Sequence, residues 1–394
     1  MNYGIVAEFN PFHNGHRYIV DKLKDNGKNT VTAVMSGSFV QRGECACVSS
    51  PERVEMALKN GVDLVISLPV QYSTASAERF AGAGVDILSS LGVIDAIGFG
   101  SECGDSSLIR RCAVALSDRA VDECINRLLE TGVSYPVARE NALLQLCGEE
   151  LSRIVAQPND ILGVEYTKAV LRNGDKLCIN AIKRIGASHD SSEKSGDICS
   201  ASAIREMLLC DECHSFMPQT TADILKAALH SGKAPAQMKN AERAILYKLR
   251  TMSLEDFAML PDVSEGLEHR IYSAVRESSS LGESLEKIKT KRYTLSRIRR
   301  IILCAFLGIT RADVLAPVPY IRVLGFNSKG AELLRKAKGI AALPIVTKSS
   351  QIKALDESAQ RCFELECTAR DVFSLMLPVP DVCGKEMTDK MIIL

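Results

Sequence analysis

Near its start the sequence reads Asn10-Pro11-Phe12-His13-Asn14-Gly15-His16, two imidazoles three positions apart with a glycine between them. Imidazoles donate hydrogen bonds to phosphoryl oxygens and can stabilise negative charge that grows during in-line attack. The preceding run, "YGIVAEF", is compact and apolar and predicts a buried strand. Pro11 ends it and supplies no amide hydrogen. From Asn14 to about Lys24, the residues Tyr18, Ile19 and Leu23 recur at helical spacing. His13 and His16 therefore sit at the mouth of a helix, whose first amides are unpaired and carry partial positive charge. Such a helix end attracts phosphate, and Gly15 lets a phosphate or ribose approach the backbone closely. Phosphoryl and nucleotidyl transfer need mostly positioning and electrostatics, which this arrangement supplies. Two other readings stay open: a metal held by the pair, for which no third ligand is close in sequence, and a surface pair with no task.

The elements that position these residues alternate. "TVTAVMSG" and "VDLVISLPV" read as strands, "IDAIGFGSE" as a fourth, and "SPERVEMALKNG" as a helix that opens on serine and proline and stops at Asn60-Gly61. From Ser106 to about Leu151 the pattern is helical and amphipathic; "LCINAIKRIGASHD" restores a strand and "SASAIREML" begins another helix. This alternation predicts an α/β fold: a Rossmann-like domain with a parallel sheet and right-handed crossovers. Ligands then lie beyond the carboxyl ends of the strands, where Asn10 to His16, Ser36 to Arg42 and Gly98 to Glu102 fall. After about residue 208 the chain becomes mainly helical, so the expected division is 1–208 and 209–394. Within the second part, "IRVLGF" and "LPIVT" are expected to form a short α/β cap.

A chain of 394 residues exceeds the size of a single core. Lysine plus arginine equals aspartate plus glutamate at 48 each, so contact with nucleic acid must come from a local patch. No signal peptide or membrane-spanning run is visible, and the expected setting is cytoplasmic, with no membrane and no obligate protein partner. Fourteen cysteines in such a chain read as reduced thiols. The pairs Cys45/Cys47 and Cys210/Cys213, the latter followed by His214, lack the second pair that structural zinc needs, and no metal ligands are expected.

His13-Asn14-Gly15-His16 matches the His-x-Gly-His signature of the nucleotidyltransferase superfamily. The longer string "AEFNPFHNGH" resembles the bacterial tRNA(Met) cytidine acetate ligases. So do "MSGSFVQRGE", "MALKNGVDLVISLPV", "SAERFA", "GFGSE", "QPNDILGVEY", "IKRIGASHD", "SASAIR" and "KTKRYTLSRIRR", in the family's order and over nearly the whole chain. The resemblance implies a nucleotidyltransferase domain followed by a helical tRNA-binding domain. It implies two steps: acetate attacks the α-phosphate of ATP to give acetyl-adenylate and pyrophosphate, and the wobble cytidine of elongator tRNA(Met) then takes the acetyl group on N4. Magnesium is expected with the ATP.

By the same resemblance the ATP site comprises Val6, Ala7, Glu8, Phe9, Asn10, Pro11, Phe12, His13, Asn14, Gly15, His16, Arg17, Tyr18 and Ile19, with Gly100, Asn159 and Arg184; His13 and His16 are its catalytic pair. Arg184 suits phosphate neutralisation, with a surface salt bridge as the plainer alternative. Ser200, Ser202 and Arg205 resemble a helix start that cradles departing phosphates, although capping also explains the serines. The chain departs from the family's pattern after Glu44, where it has no tryptophan, and before His189, where no aromatic precedes the histidine. The basic segment 287–300 supplies Lys289, Lys291, Arg292, Arg297 and Arg299, with Tyr293 among them, for RNA backbone contact and base stacking. A solvated helix face is the alternative there. Two further functions stay in view: an adenylyltransferase acting on a small phosphorylated metabolite, and a nucleotide-sensing RNA-binding protein without turnover.

Overall fold

The computed structural model describes residues 1–185, 199–264 and 266–394; His189 lies outside them. The first half alternates: β1 (Asn2–Ala7), α1 (Asn14–Lys24), β2 (Thr30–Ser36), α2 (Ser50–Lys59), β3 (Leu64–Leu68), α3 (Ala77–Ser90) and β4 (Ala96–Ser101). Four helices between Ser106 and Val155 form a side layer, followed by α4 (Pro158–Arg172), β5 (Cys178–Lys183) and α5 (Ala201–Glu206). Strands β3-β2-β1-β4-β5 lie side by side in that order, all parallel. Both faces are covered, which is why the strands read as continuous apolar runs. Val31, Ala33 and Met35 of β2 enter one core with Val20 and Leu23 of α1 and Val54 and Leu58 of α2. Val34, between them, enters the opposite core with Val85 and Leu88 of α3 and Val164 of α4.

The late apolar runs do form a short α/β unit, with helix Ser328–Ala337 between its strands, but it is joined to the first sheet. "IRVLGF" is β6 (Ile321–Phe326), which pairs antiparallel with β3, while β7 (Ile345–Val346) and β8 (Ile392–Ile393) both pair with β6. The physical reason is the edge of β3, whose five residues are all buried; an exposed edge of that length is a pairing hazard that covering strands remove. Packing also runs across position 208. Phe216, Met217, Leu225 and Ala234 belong to the core shared with α1 and α2. A second core starts near Ala236 and is built mainly from helices, among them α6 (Leu295–Leu307) and α7 (Glu357–Phe373). Two of its members, Phe39 and Cys45, come from a small ribbon, Phe39–Val40 paired with Glu44–Cys45, that follows β2. Among the described residues no helix is long and apolar enough to cross a membrane.

Asp63 ties the sheet together at the end remote from the histidines. It is 1% exposed, and its carboxylate accepts from Lys24 Nζ of α1 (2.8 Å), the Val31 amide of β2 (2.8 Å) and Asn327 Nδ2 after β6 (3.0 Å). Asp63→Ala leaves a half-buried ammonium and a buried amide unpaired. It is expected to cost about 3–5 kcal/mol in urea unfolding, and a loss under 1 kcal/mol contradicts this role.

Candidate active site

The strand expected to reach Phe9 ends at Ala7, and Glu8 to His13 form the turn into α1. Phe9 adopts φ +46°, unusual for a bulky residue, and its ring is 1% exposed. It is held by packing: Phe9 and Phe12 contact each other at 5.0 Å between ring centroids and both contact the ring of His16. These two phenylalanines of the expected ATP loop are core side chains; only their backbone is available to a ligand.

His13 is the N-cap of α1. Its Nδ1 accepts the Gly15 amide at 3.0 Å, and His16 Nδ1 accepts the His13 amide at 3.3 Å. The two rings stack at 3.7 Å. A nitrogen that accepts cannot carry the proton, so each neutral imidazole has its hydrogen on Nε2. Among the described residues neither Nε2 has a protein partner. Burial, then the cations of Arg184 and Arg205, drive the His13 pKa down to about 3. Burial and the neighbouring His13 push His16 well below its ordinary value. Both rings are therefore neutral donors at pH 7, not cations.

The strand ends bring the remaining expected residues to this place. Arg184, just after β5, reaches Asn159 at the start of α4 (Nη1 to Oδ1, 3.5 Å). Gly100 of β4 makes room for it: a Cβ there would meet Ile19 Cδ1 at 2.9 Å and Arg184 Cγ at 3.3 Å. The bare backbone of Gly100 thus serves the packing of Ile19 and Arg184. Glu102 accepts the Asn159 and Asp160 amides at the α4 N-terminus, and the buried Asp160 carboxylate accepts from Ser101 Oγ and the Cys103 amide. Arg205 of α5 donates to the Asn10 carbonyl at 3.1 Å and to Ser202 Oγ at 3.2 Å. Ser200 is the N-cap of α5, bonding the Ala203 amide.

Other members of the expected loop face elsewhere. Asn14 Nδ2 donates to the Ser215 carbonyl, Arg17 pairs with Asp21 and Asn60, Tyr18 lies under Lys22, and Val6 packs on Gly84. In the basic segment, Arg297 donates to the Asp262 carbonyl and Arg299 is paired with Glu44. Lys289 lies 3.9 Å from Glu286, and Lys291 and Arg292 are exposed. Tyr293 is a correction: it is 9% exposed and built into the helical core, so its ring is not presented for base stacking. Among the described residues no cluster of three or more His, Cys, Asp or Glu side chains is placed to hold a metal.

Arg53 was not singled out in the sequence. It is fully buried, the largest such side chain, and donates to the Glu8 carbonyl (2.6 Å) and to the Gly37 carbonyl. It clamps the loops that follow β1 and β2. The signal was available: an arginine beside Val54, Met56 and Ala57 on the buried face of α2. Glu8, in the clamped loop, accepts the Gln41 amide at 2.8 Å, and burial raises its pKa.

A parallel sheet with a buried imidazole pair capping the first helix, and arginines brought in from other elements, defines a nucleotidyl transferase. The family described as HIGH Nucleotidyl Transferase matches residues 1–388. A tRNA(Met) cytidine acetate ligase of Acetivibrio thermocellus is 37% identical, covering 99% of this chain and 99% of that protein. One of Caldicellulosiruptor saccharolyticus is 40% identical over 94% of this chain and 93% of its own length. The crystal structure of Thermotoga maritima TmcAL bound with alpha-thio ATP superposes with a TM-score of 0.92 at 32% identity, covering 100% of this chain and 99% of that one. The chain belongs to the HIGH nucleotidyl transferases and, within them, to the tRNA(Met) cytidine acetate ligase family.

Two outcomes follow from the site. The unfolded chain protonates His13 near 6.5, the folded chain only near 3. Between those values the unfolded state binds the extra proton, so stability is lost as pH falls from 6.5 toward 3, at up to about 1.4 kcal/mol per pH unit from this ring. Denaturant melts at pH 5 and pH 7 should differ less for His13→Asn, which keeps a capping oxygen, than for the wild type; equal differences exclude a buried neutral His13. Arg53→Met should lower stability by about 2–4 kcal/mol and raise the KM for ATP, and an unchanged KM in the folded variant contradicts the clamp.

Proposed function

We infer that the chain is an ATP-dependent ligase that activates acetate and acetylates the wobble cytidine of elongator tRNA(Met), forming N4-acetylcytidine. The observation that carries this is the pair of neutral Nε2–H donors at the mouth of α1, with two arginines beside them. ATP lies with its phosphates at this mouth. A carboxylate oxygen of acetate attacks the α-phosphorus, the bond to the bridging oxygen breaks, and pyrophosphate leaves. His13 and His16, through Nε2, stabilise charge on the phosphoryl oxygens, and Arg184 and Arg205 offset the polyphosphate charge. The cytidine N4 then attacks the acetyl carbonyl carbon, AMP departs with the electrons of the broken C–O bond, and N4 gives up one proton. Neutral imidazoles suit this role, because their donor strength does not depend on pH above the low values at which they protonate.

Nearby carboxylates do not make a magnesium cage: Glu8, Glu102 and Asp160 are each engaged by backbone amides. Magnesium, if carried in by the ATP phosphates, would screen their charge. In this reading residues 1–208 carry catalysis and 209–394 carry RNA contact, with Lys289, Lys291, Arg292, Arg297 and Arg299 toward the phosphate backbone. Residue 208 is a division of tasks, since the cores on either side of it interlock. In this reading the enzyme works on tRNA in the cytoplasm, without an obligate protein partner.

Acetate-dependent exchange of labelled pyrophosphate into ATP, followed by mass spectrometry of tRNA incubated with ATP and acetate, tests the reading. Wild type should show both exchange and acetylated cytidine. His16→Ala should lower exchange by at least about 100-fold, as loss of a transition-state donor does; near-normal exchange removes the histidine from the chemistry. Lys289→Glu combined with Lys291→Glu should weaken tRNA binding roughly tenfold and flatten its salt dependence, and a loss of adenylate formation with unchanged tRNA affinity reverses the division of labour.

A further inference from the structure

We propose that the cavity between the catalytic core and the helical body receives the cytosine ring that accepts the acetyl group. This rests on the acetyl-transfer reading above and adds where the acceptor base sits. The cavity is about 310 Å3, within the roughly 300–1,000 Å3 typical of small-ligand clefts. Acetate, with four heavy atoms, leaves most of that volume unfilled.

Position is the first argument. Arg205 lines the cavity, and the same side chain holds the Asn10 carbonyl and acts electrostatically on His13. Arg205 is therefore shared between the cavity and the proposed phosphate grip, on the side from which an acceptor of the acyl group would arrive. Its opposite side belongs to the helical body, through Leu281, Leu285 and Ile302. Arg299, from the basic segment proposed to meet the RNA backbone, also lines it.

The second argument is the chemistry of the lining. A base turned out of an RNA loop is held between apolar side chains and read along its hydrogen-bonding edge. Leu208, Leu281 and Leu285 supply apolar walls, and Glu44 and Gln237 supply polar atoms. Arg299 Nη1 engages Glu44 Oε1, and among the described residues Glu44 Oε2 has no partner. A carboxylate oxygen accepts from the exocyclic amine of cytosine; uracil presents an oxygen at that position and is repelled. Gly43 keeps the pair in place: at φ +75° it packs so closely on α6 that a Cβ would lie 2.6 Å from the Arg299 carbonyl carbon. Burial pushes the lining thiols up, Cys45 to about 12 and Cys47 to about 11, so they stay protonated beside an activated acyl group and do not compete for it.

The experiment uses the full chain and tRNA(Met) transcript. Leu285→Trp and Met238→Trp fill the cavity, and each should lower acetyl transfer to tRNA at least tenfold relative to acetate-dependent pyrophosphate exchange. A transfer-to-exchange ratio equal to that of wild type overturns the proposal. Unmodified protein provides a second measurement: tRNA carrying 5-bromocytidine at the target position should photo-crosslink to the 235–238 or 281–285 segment. Cross-links confined to other segments overturn the proposal even if a variant fails to fold. A wild-type chain without acetate-dependent exchange defeats the acetyl-transfer reading itself, and the proposal with it. Normal exchange together with misplaced cross-links defeats only the proposal.

Discussion

One hydrogen bond organises the site: Gly15 N–H to His13 Nδ1. It closes the first turn of α1 and leaves the only proton of the neutral ring on Nε2, the nitrogen with no protein partner among the described residues. His16 repeats the arrangement through the His13 amide. The capping that makes the helix start therefore also decides which way the two donors face. A cap made by an ionised aspartate would satisfy the same amide but would leave no donor beyond it. Burial against Phe9 and Phe12 keeps the rings uncharged, so the positive charge at the site comes from arginines brought in from elsewhere in the chain.

Those arginines show how the sheet is used. β1 delivers the histidines, β4 and β5 deliver Gly100 and Arg184, and α5 returns Arg205 to the turn after β1. Arg53 joins the loops after β1 and β2 by their carbonyls. The hydrogen-bond partners of these arginines are uncharged groups: backbone carbonyls, the Asn159 side-chain amide and the Ser202 hydroxyl. Two of the links between the helical body and this frame bear on the site. β6 and β8 continue the sheet on the β3 side, and the ribbon after β2 inserts Phe39 and Cys45 into the helical core. The cavity beside Arg205 is formed where these two parts meet.

The local chemistry was largely legible in the sequence. The His-x-Gly-His turn, the strands before Pro11 and at 30–37, 62–70 and 94–102, and the cap-like start of α2 all carry their signals within about ten residues. Asn159 and Arg184 came from resemblance, and nothing in their spacing alone joins them to His13, whereas Gly100 also lies at a strand end that the α/β alternation puts on the same side as the histidines. Arg53 was legible as a charge on an apolar helical face, yet its partners are carbonyls 16 and 45 positions away. The basic segment read as a uniform cationic strip because charge counting does not see that Glu44, Glu286 and Asp262 lie against it. Tyr293 read as a stacking residue because burial cannot be read from an aromatic between lysines.

By itself the sequence determined the periodicities, the helix start with its imidazole cap, the parallel alternation of the first half and the family to which the chain belongs. These depend on interactions between residues a turn or a strand apart, which composition and spacing encode directly. Tertiary structure alone decided that the late strands extend the first sheet, that the histidines are neutral, and that Arg205 faces both the helix mouth and a cavity lined by the helical body. Each of these depends on burial and on pairing between distant segments. Desolvation and edge pairing are properties of neighbours in space, and one chain read in order does not say who those neighbours are.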